Sequence, residues 1–160
     1  MNKLIDAIDQ VIEENNLPHE WSKEISTELK QLKHKKESKK RVDLRSYPFV
    51  TIDGKDAKDF DDAVFCKEES NGFMLQVAIA DVADIVKQGT ELDFEALKRG
   101  TSIYFPKKVI PMLPEKISNN LCSLVPREDR NVLVCKIIFN KEGVINSYEF
   151  NEAIINSNKR

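Results

Sequence analysis

Long hydrophobic runs are missing. No stretch approaches the ~18 uncharged apolar residues of a membrane helix, and Asp6 already interrupts the opening Met1-Asn2-Lys3-Leu4-Ile5. Neither a membrane span nor a secretory signal is expected, and the default location is the cytoplasm. Cysteine is scarce: Cys66, Cys122 and Cys135 form no C-x-x-C pair and leave one thiol over. That pattern speaks against a disulfide framework or a zinc site and predicts reduced, buried thiols. With 5 Gly and 6 Pro the chain is neither fibrous nor low in complexity. An excess of one charge is lacking too, since 25 Lys and Arg face 27 Asp and Glu, so no global positive field advertises nucleic-acid binding. What remains is a 41% hydrophobic chain of 160 residues, enough for one domain with a real core.

The near-neutral sum hides two opposite local fields. Lys30 to Arg41, KQLKHKKESKKR, holds a single acid, whereas Asp53 to Asp62, DGKDAKDFDD, holds five aspartates against two lysines. Before the basic run, Leu4, Ile8, Val11 and Ile12 recur at helical spacing and Asn15-Asn16 ends the pattern. Ile25, Leu29 and Leu32 predict a second helix from about Ser22 into the basic run. Residues 1–40 therefore read as a helical lead-in whose positive end is a solvated linker face, although phosphate contacts there would show as a steep salt dependence.

After Asp43 the texture turns to strands. Phe49-Val50-Thr51-Ile52 predicts a short buried strand. Ala63–Cys66 and Met74–Ile79 flank Asn71-Gly72, a hairpin signal, and Val132–Phe139 with Val144–Phe150 flank a second turn at Asn140–Gly143. Leu92–Arg99 predicts a helix stopped by Gly100, and Ser118–Leu124 one or two helical turns. Residues 151–160 resemble no finished element, so a fragment is expected. The fold class is α/β, or mixed α+β, dominated by strands after residue 45.

Asp53, Asp56, Asp59, Asp61 and Asp62 lie within ten residues. Acid runs of this kind are commonly solvated loops. Gathered in a pocket they repel, and a divalent cation relieves the repulsion. With no His or Cys nearby, such hard oxygens favour Mg²⁺, Mn²⁺ or Ca²⁺. An EF-hand counted from Asp53 fails, because its sixth and twelfth places hold Lys58 and Val64. An aspartyl-phosphate nucleophile at Asp59 fails as well, because Lys55-Asp56-Ala57-Lys58 precedes it instead of an apolar strand. In an extended chain Asp59 and Asp61 share a face and Asp62 points away. Convergence of Asp53, Asp59, Asp61 and Asp62 thus needs the chain to fold back, which Gly54 would permit. Four acids would suit two ions about 3.5–4 Å apart in phosphodiester cleavage.

Arg41-Val42-Asp43-Leu44-Arg45, Val50-Thr51-Ile52-Asp53-Gly54 and Asp59-Phe60-Asp61-Asp62-Ala63 resemble the ribonuclease II/ribonuclease R family. So do Val77–Val82, Gly100–Pro106, Ile110–Pro114 and Leu121-Cys122-Ser123-Leu124, in the family's order and approximate spacing, closer to ribonuclease R than to ribonuclease II. The likeness covers residues 41–155 and marks 41–160 as the N-terminal half of an RNB-type catalytic domain. It implies a metal-dependent 3′→5′ exoribonuclease that hydrolyses single-stranded RNA to nucleoside 5′-monophosphates, with Mg²⁺ as cofactor and Mn²⁺ as substitute. Carried over by position, Asp53 and Asp62 are metal ligands, Asp59 holds metal or water, and Asp61 is the carboxylate most critical to the chemistry. Tyr104 matches an aromatic that stacks on bases near the 3′ end, whereas Phe105 stays a core residue. Asp81, inside a matched motif, is expected to be structural, and His19 and His34 receive no role.

The family's catalytic domain is about twice this length, and its second half supplies an arginine and a glutamate to the site. The resemblance therefore names that C-terminal half as a partner, and half a domain alone is expected to be poorly soluble or to oligomerise. The competing reading is a non-catalytic remnant or RNA-binding module that keeps the acidic metal site but does not turn over.

Overall fold

The computed structural model describes residues 3–33 and 40–160. They fall into two compact units, residues 3–32 with 86–115, and residues 33 and 40–85 with 116–160.

The second unit is built on a sheet of, among the described residues, five strands in the order β1-β7-β6-β3-β2. These are β1 (Val42–Asp43), β2 (Asp62–Glu69), β3 (Gly72–Ala80), β6 (Asp129–Asn140) and β7 (Ile145–Asn156). Only β1 and β7 run parallel; the other neighbours are antiparallel. Register places Ala63, Ala78 and Val134 side by side, and Val132 beside Ala80 and Ala153. All six are buried, a flat floor of small side chains on which larger ones can pack. Phe49 is wholly buried on that face, its ring 6.0 Å from Phe65. The opposite face carries Ile79 beside Leu133 and Phe150 beside Cys135, and Phe150 is 73% exposed there. This apolar surface is the one on which the expected self-association would act.

The first unit contains α1 (Lys3–Glu14), α2 (Lys23–Gln31), α4 (Glu91–Arg99) and a small hairpin of β4 (Ile103–Phe105) and β5 (Lys108–Ile110). Ile8, Ile12 and Ile110 form its core, with Leu17, Ile103 and Phe105 packed against them. The Ser22 hydroxyl caps α2 by accepting the Ile25 N–H at 3.2 Å, and Gly100 closes α4 at φ 71°. Arg99 lies over the Trp21 ring, 3.6 Å from its centre, and donates to the Pro111 and Glu20 carbonyls. A cation with a satisfied fork and an aromatic beneath it can be buried at little cost.

Both expected hairpins form. The first turns at Ser70-Asn71, so Gly72 begins β3 at φ 152°. In the second, β6 begins earlier and β7 runs further than expected, to Asn156, while β7 starts at Ile145 instead of Val144; a register shift falls between Ile138 and Phe139. The expected helical turns at 118–124 are a π-helical turn at Ile117–Leu121. Helix α3 (Val82–Ile85) adds one turn after β3.

Several expectations need correction. Phe49–Ile52 is not a strand: Val50 alone makes isolated bridges, to Val64 and to Lys159. Phe49 and Thr51 are buried while Ile52 is 81% exposed, so the β-branched run records burial of one side of a segment about to turn away. Residues 151–156 are structured, because β7 continues through them. Ala153, Ile154 and Ile155 are all buried, with β1 on one edge and β6 on the other. An apolar run buried on both faces loses the alternation that marks a strand. Helix α2 ends at Gln31, and the rest of the basic run, His34 included, falls largely at 34–39, outside the described residues. All three cysteines are free, but only Cys122 is buried; Cys66 is exposed and Cys135 intermediate. No described helix is long and apolar enough to cross a membrane.

Candidate metal centre

The acid run becomes a site because its two ends are tied together. Val50 and Val64 exchange N–H···O bonds of 3.0 and 2.9 Å, and the Thr51 N–H donates to the Lys159 carbonyl at 3.1 Å. Residues 52–61 then leave and return as a closed loop. Asp53 stands just beyond the closure on the outgoing side, and Asp61 and Asp62 just before it on the return. Gly54 does not supply a left-handed turn, having no positive φ. It accepts the Ala57 N–H at 3.0 Å and so starts an ordinary turn. The fold-back comes from the bridge at the base, not from the glycine's freedom.

Phe60 anchors the returning arm. It is 6% exposed, its N–H donates to the Ser123 hydroxyl at 3.1 Å, and its carbonyl accepts the Leu124 N–H at 2.7 Å. The Arg160 guanidinium lies 4.9 Å from the centre of its ring and donates to the Gly54 carbonyl. With Phe60 turned inward, its neighbours Asp59 and Asp61 are exposed. The Asp61 carbonyl accepts the Ala80 N–H at 2.9 Å, which places the arm on the end of β3.

Carboxylate oxygens of Asp53, Asp61 and Asp62 lie within 4.8 Å of one another. Asp53 is half-buried, and its Oδ2 is buried with no hydrogen-bond partner among the described residues. Burial, then the charges of Asp61 and Asp53, push the Asp62 carboxyl above the ordinary carboxylate range. Three acids that repel, one of them with an orphaned buried oxygen, form a donor set on which a cation would relieve the repulsion. The donors are all hard oxygens, so the residues present fit Mg²⁺ or Mn²⁺.

Of the expected site residues the structure therefore brings three together. Asp59 is in the same loop, exposed, and is not one of the three. Tyr104 lies in the first unit, on β4, paired with Val109 and 70% exposed. Asp81 is ion-paired to Arg41 at 2.5 Å with both side chains buried, consistent with the structural reading of that residue. Phe60 and Ser123 stand in the motifs that carry the resemblance but received no role, and Arg160 was passed over; their contacts span 63 to 106 residues and leave no local signal.

The RNB domain model matches residues 41–160, three quarters of the chain. The chain belongs to the RNB domain family. "Ribonuclease R" of Buchnera aphidicola is 49% identical over 160 residues, covering 96% of this chain and 22% of its own length. "Ribonuclease R" of Escherichia coli is 48% identical, covering 96% and 19%. Among solved structures, Mycoplasma genitalium RNase R in complex with double-stranded RNA superposes with a TM-score of 0.95 at 37% identity, over 99% of this chain and 29% of that one. The chain thus spans about a fifth of the length of the curated relatives it matches. The RNB match begins at Arg41, one residue before β1, and takes in both the acid loop and the sheet that carries it.

Proposed function

We propose that this RNB domain contributes the acidic half of the active centre of a metal-dependent 3′→5′ exoribonuclease that hydrolyses single-stranded RNA to nucleoside 5′-monophosphates. The observation that carries the reading is the Asp53–Asp61–Asp62 group with its orphaned Asp53 Oδ2. The ribonuclease R relatives, one of them solved with RNA, supply the reaction class.

Asp53 and Asp62 would hold Mg²⁺, or Mn²⁺ in its place, with Asp61 as the third oxygen donor. When bound, such an ion lowers the pKa of a coordinated water and offsets charge on the phosphate. The chain's own residues do the rest. Asp61, which is exposed, would accept hydrogen bonds from the attacking water, and Asp59, exposed in the same loop, would hold metal or water nearby. Tyr104 offers an exposed ring on which any base can stack, worth about 1–3 kcal/mol per base and indifferent to sequence. The reading places the enzyme in the cytoplasm, where its three thiols stay reduced.

A second reading takes the acid group as a binding site without chemistry. It is an RNA-binding module that keeps the acids without turnover, its partner being the remainder of an RNB catalytic domain. One experiment separates the two. A 5′-labelled single-stranded RNA is incubated with Mg²⁺ and either the chain or its Asp61→Asn variant. Shortening from the 3′ end that disappears in the variant supports the enzyme. Binding without shortening supports the module, and shortening that survives in Asp61→Asn sinks the assignment of Asp61.

A further inference from the structure

We propose that Ser123 is a positioning residue that sets the acid loop for its cation, an inference that rests on the metal reading above. Ser123 is 1% exposed. Its hydroxyl accepts the Phe60 N–H at 3.1 Å and donates to the Lys58 carbonyl at 2.9 Å. The two bonds straddle Asp59 and fix the backbone immediately before Asp61. A buried serine satisfied by its own turn is ordinary packing. Here both bonds reach a segment more than sixty residues away, and both land on the one stretch where the acids sit.

Ser123 is itself held from behind. Its carbonyl accepts Arg130 Nε at 2.8 Å, and Arg130, 5% exposed, also donates to the Asn120 carbonyl at 3.2 Å and to Glu128 at 2.6 Å. Asn120 belongs to the π-helical turn Ile117–Leu121, which delivers Cys122 and Ser123 to the loop. Such single π turns commonly mark functional positions. The line of support runs from Arg130 through Ser123 to Lys58 and Phe60, and so to Asp59 and Asp61. Outer partners that orient a metal's ligands are worth about 10–100-fold in metal affinity, although they never touch the ion.

The test is Mn²⁺ binding by the full chain, followed by electron paramagnetic resonance, with amide exchange at Phe60 as a second readout. Ser123→Ala should weaken Mn²⁺ binding about tenfold and speed exchange of the Phe60 amide. Ser123→Cys keeps the volume but offers only a weak donor, and should fall on the same side. Cys122→Ala, at a buried neighbour with no hydrogen bond to the loop among the described residues, should keep native Mn²⁺ affinity even where it melts earlier. Native affinity in both Ser123 variants overturns the positioning role alone. Equal loss in Cys122→Ala overturns it too, because general loosening would then explain the effect. A parent chain that binds no Mn²⁺ overturns the metal reading and this inference with it.

Discussion

Asp81 and Asp62 sit at the same end of the β2–β3 hairpin, and their electrostatics are opposite. Asp81 follows β3, is buried, and is fully answered: Arg41 donates at 2.5 Å and the Asp84 N–H at 3.2 Å. Asp84 in turn accepts from the Asn131 side chain at 2.9 Å. Asp62 opens β2, has Asp61 and Asp53 as its charged neighbours, and is held above its ordinary range by burial and by them. This end of the hairpin therefore carries a paired acid beside three carboxylates with no cationic partner among the described residues. Folding alone explains the first arrangement. The second is not answered by a cation among the described residues, and on the proposed reading it is the place for a bound metal ion.

The comparison breaks most visibly at Arg41. Arg41→Ala strands Asp81 in a buried place, and loss of one partner from a buried pair costs about 3–5 kcal/mol. Urea unfolding should show a stability loss of that size. A loss below about 1 kcal/mol would mean the pair behaves as a surface bridge, and the contrast with Asp62 would collapse.

The hairpin itself is the next place to press. A Cβ on Gly72 would come 2.7 Å from Asn140 Cα and closer still to the Phe139 carbonyl oxygen, at a φ that side chains rarely adopt. Gly72→Ala should therefore cost about 1–3 kcal/mol. Because β3 fixes the register of both aspartates, the variant should also weaken Mn²⁺ binding. Unchanged binding in a destabilised chain would show that the loop is held independently of the turn end of the hairpin.

At Asp62 the sign reverses. Removing one of three repelling carboxylates should stabilise the metal-free chain, so Asp62→Asn should melt about 2 °C higher than the parent without metal. Added Mg²⁺ should raise the melting temperature of the parent and leave the variant unmoved. A variant that melts lower without metal would show that Asp62 makes a stabilising contact, and the acids would be structural after all.

How much of this was legible follows the same divide between local and distant causes. Helix α1, the start of α2 near Ser22 and both hairpins were readable because their signals lie within a few residues: Ile8 and Ile12, Ser22 before Ile25, Asn71-Gly72. The acids were readable as a group from composition, and three of them do converge. Their means of convergence was not. Gly54 seemed the hinge, yet the closure is a bridge between Val50 and Val64, with Lys159 on the other side. Residues 153–155 looked like a loose end because strands buried on both faces show no alternation. Ser123 stood in a matched motif without a role and Arg130 gave no sign, since a buried polar contact between residues 58 and 123 has no period in the sequence.

The smallest effect tests the neutralised side from within. Cys122 lies near Asp81, Asp84 and Arg130, and burial pushes its thiol up to about 11, with both acids adding to the rise and Arg130 opposing it. At pH 8 only about one thiol in a thousand is then ionised, whereas a free thiol near 8.5 is about one-quarter thiolate. Iodoacetamide should modify exposed Cys66 quickly and leave Cys122 intact until the chain unfolds, as peptide mass analysis over time would show. In Arg41→Ala, opening of the Asp81 environment should make Cys122 modification faster while the Cys66 rate stays the same. Cys122 reacting as fast as Cys66 in the parent would show that this side of the hairpin opens as readily as solvent-facing strand, and that its buried charges are not held in the dry setting that makes them structural.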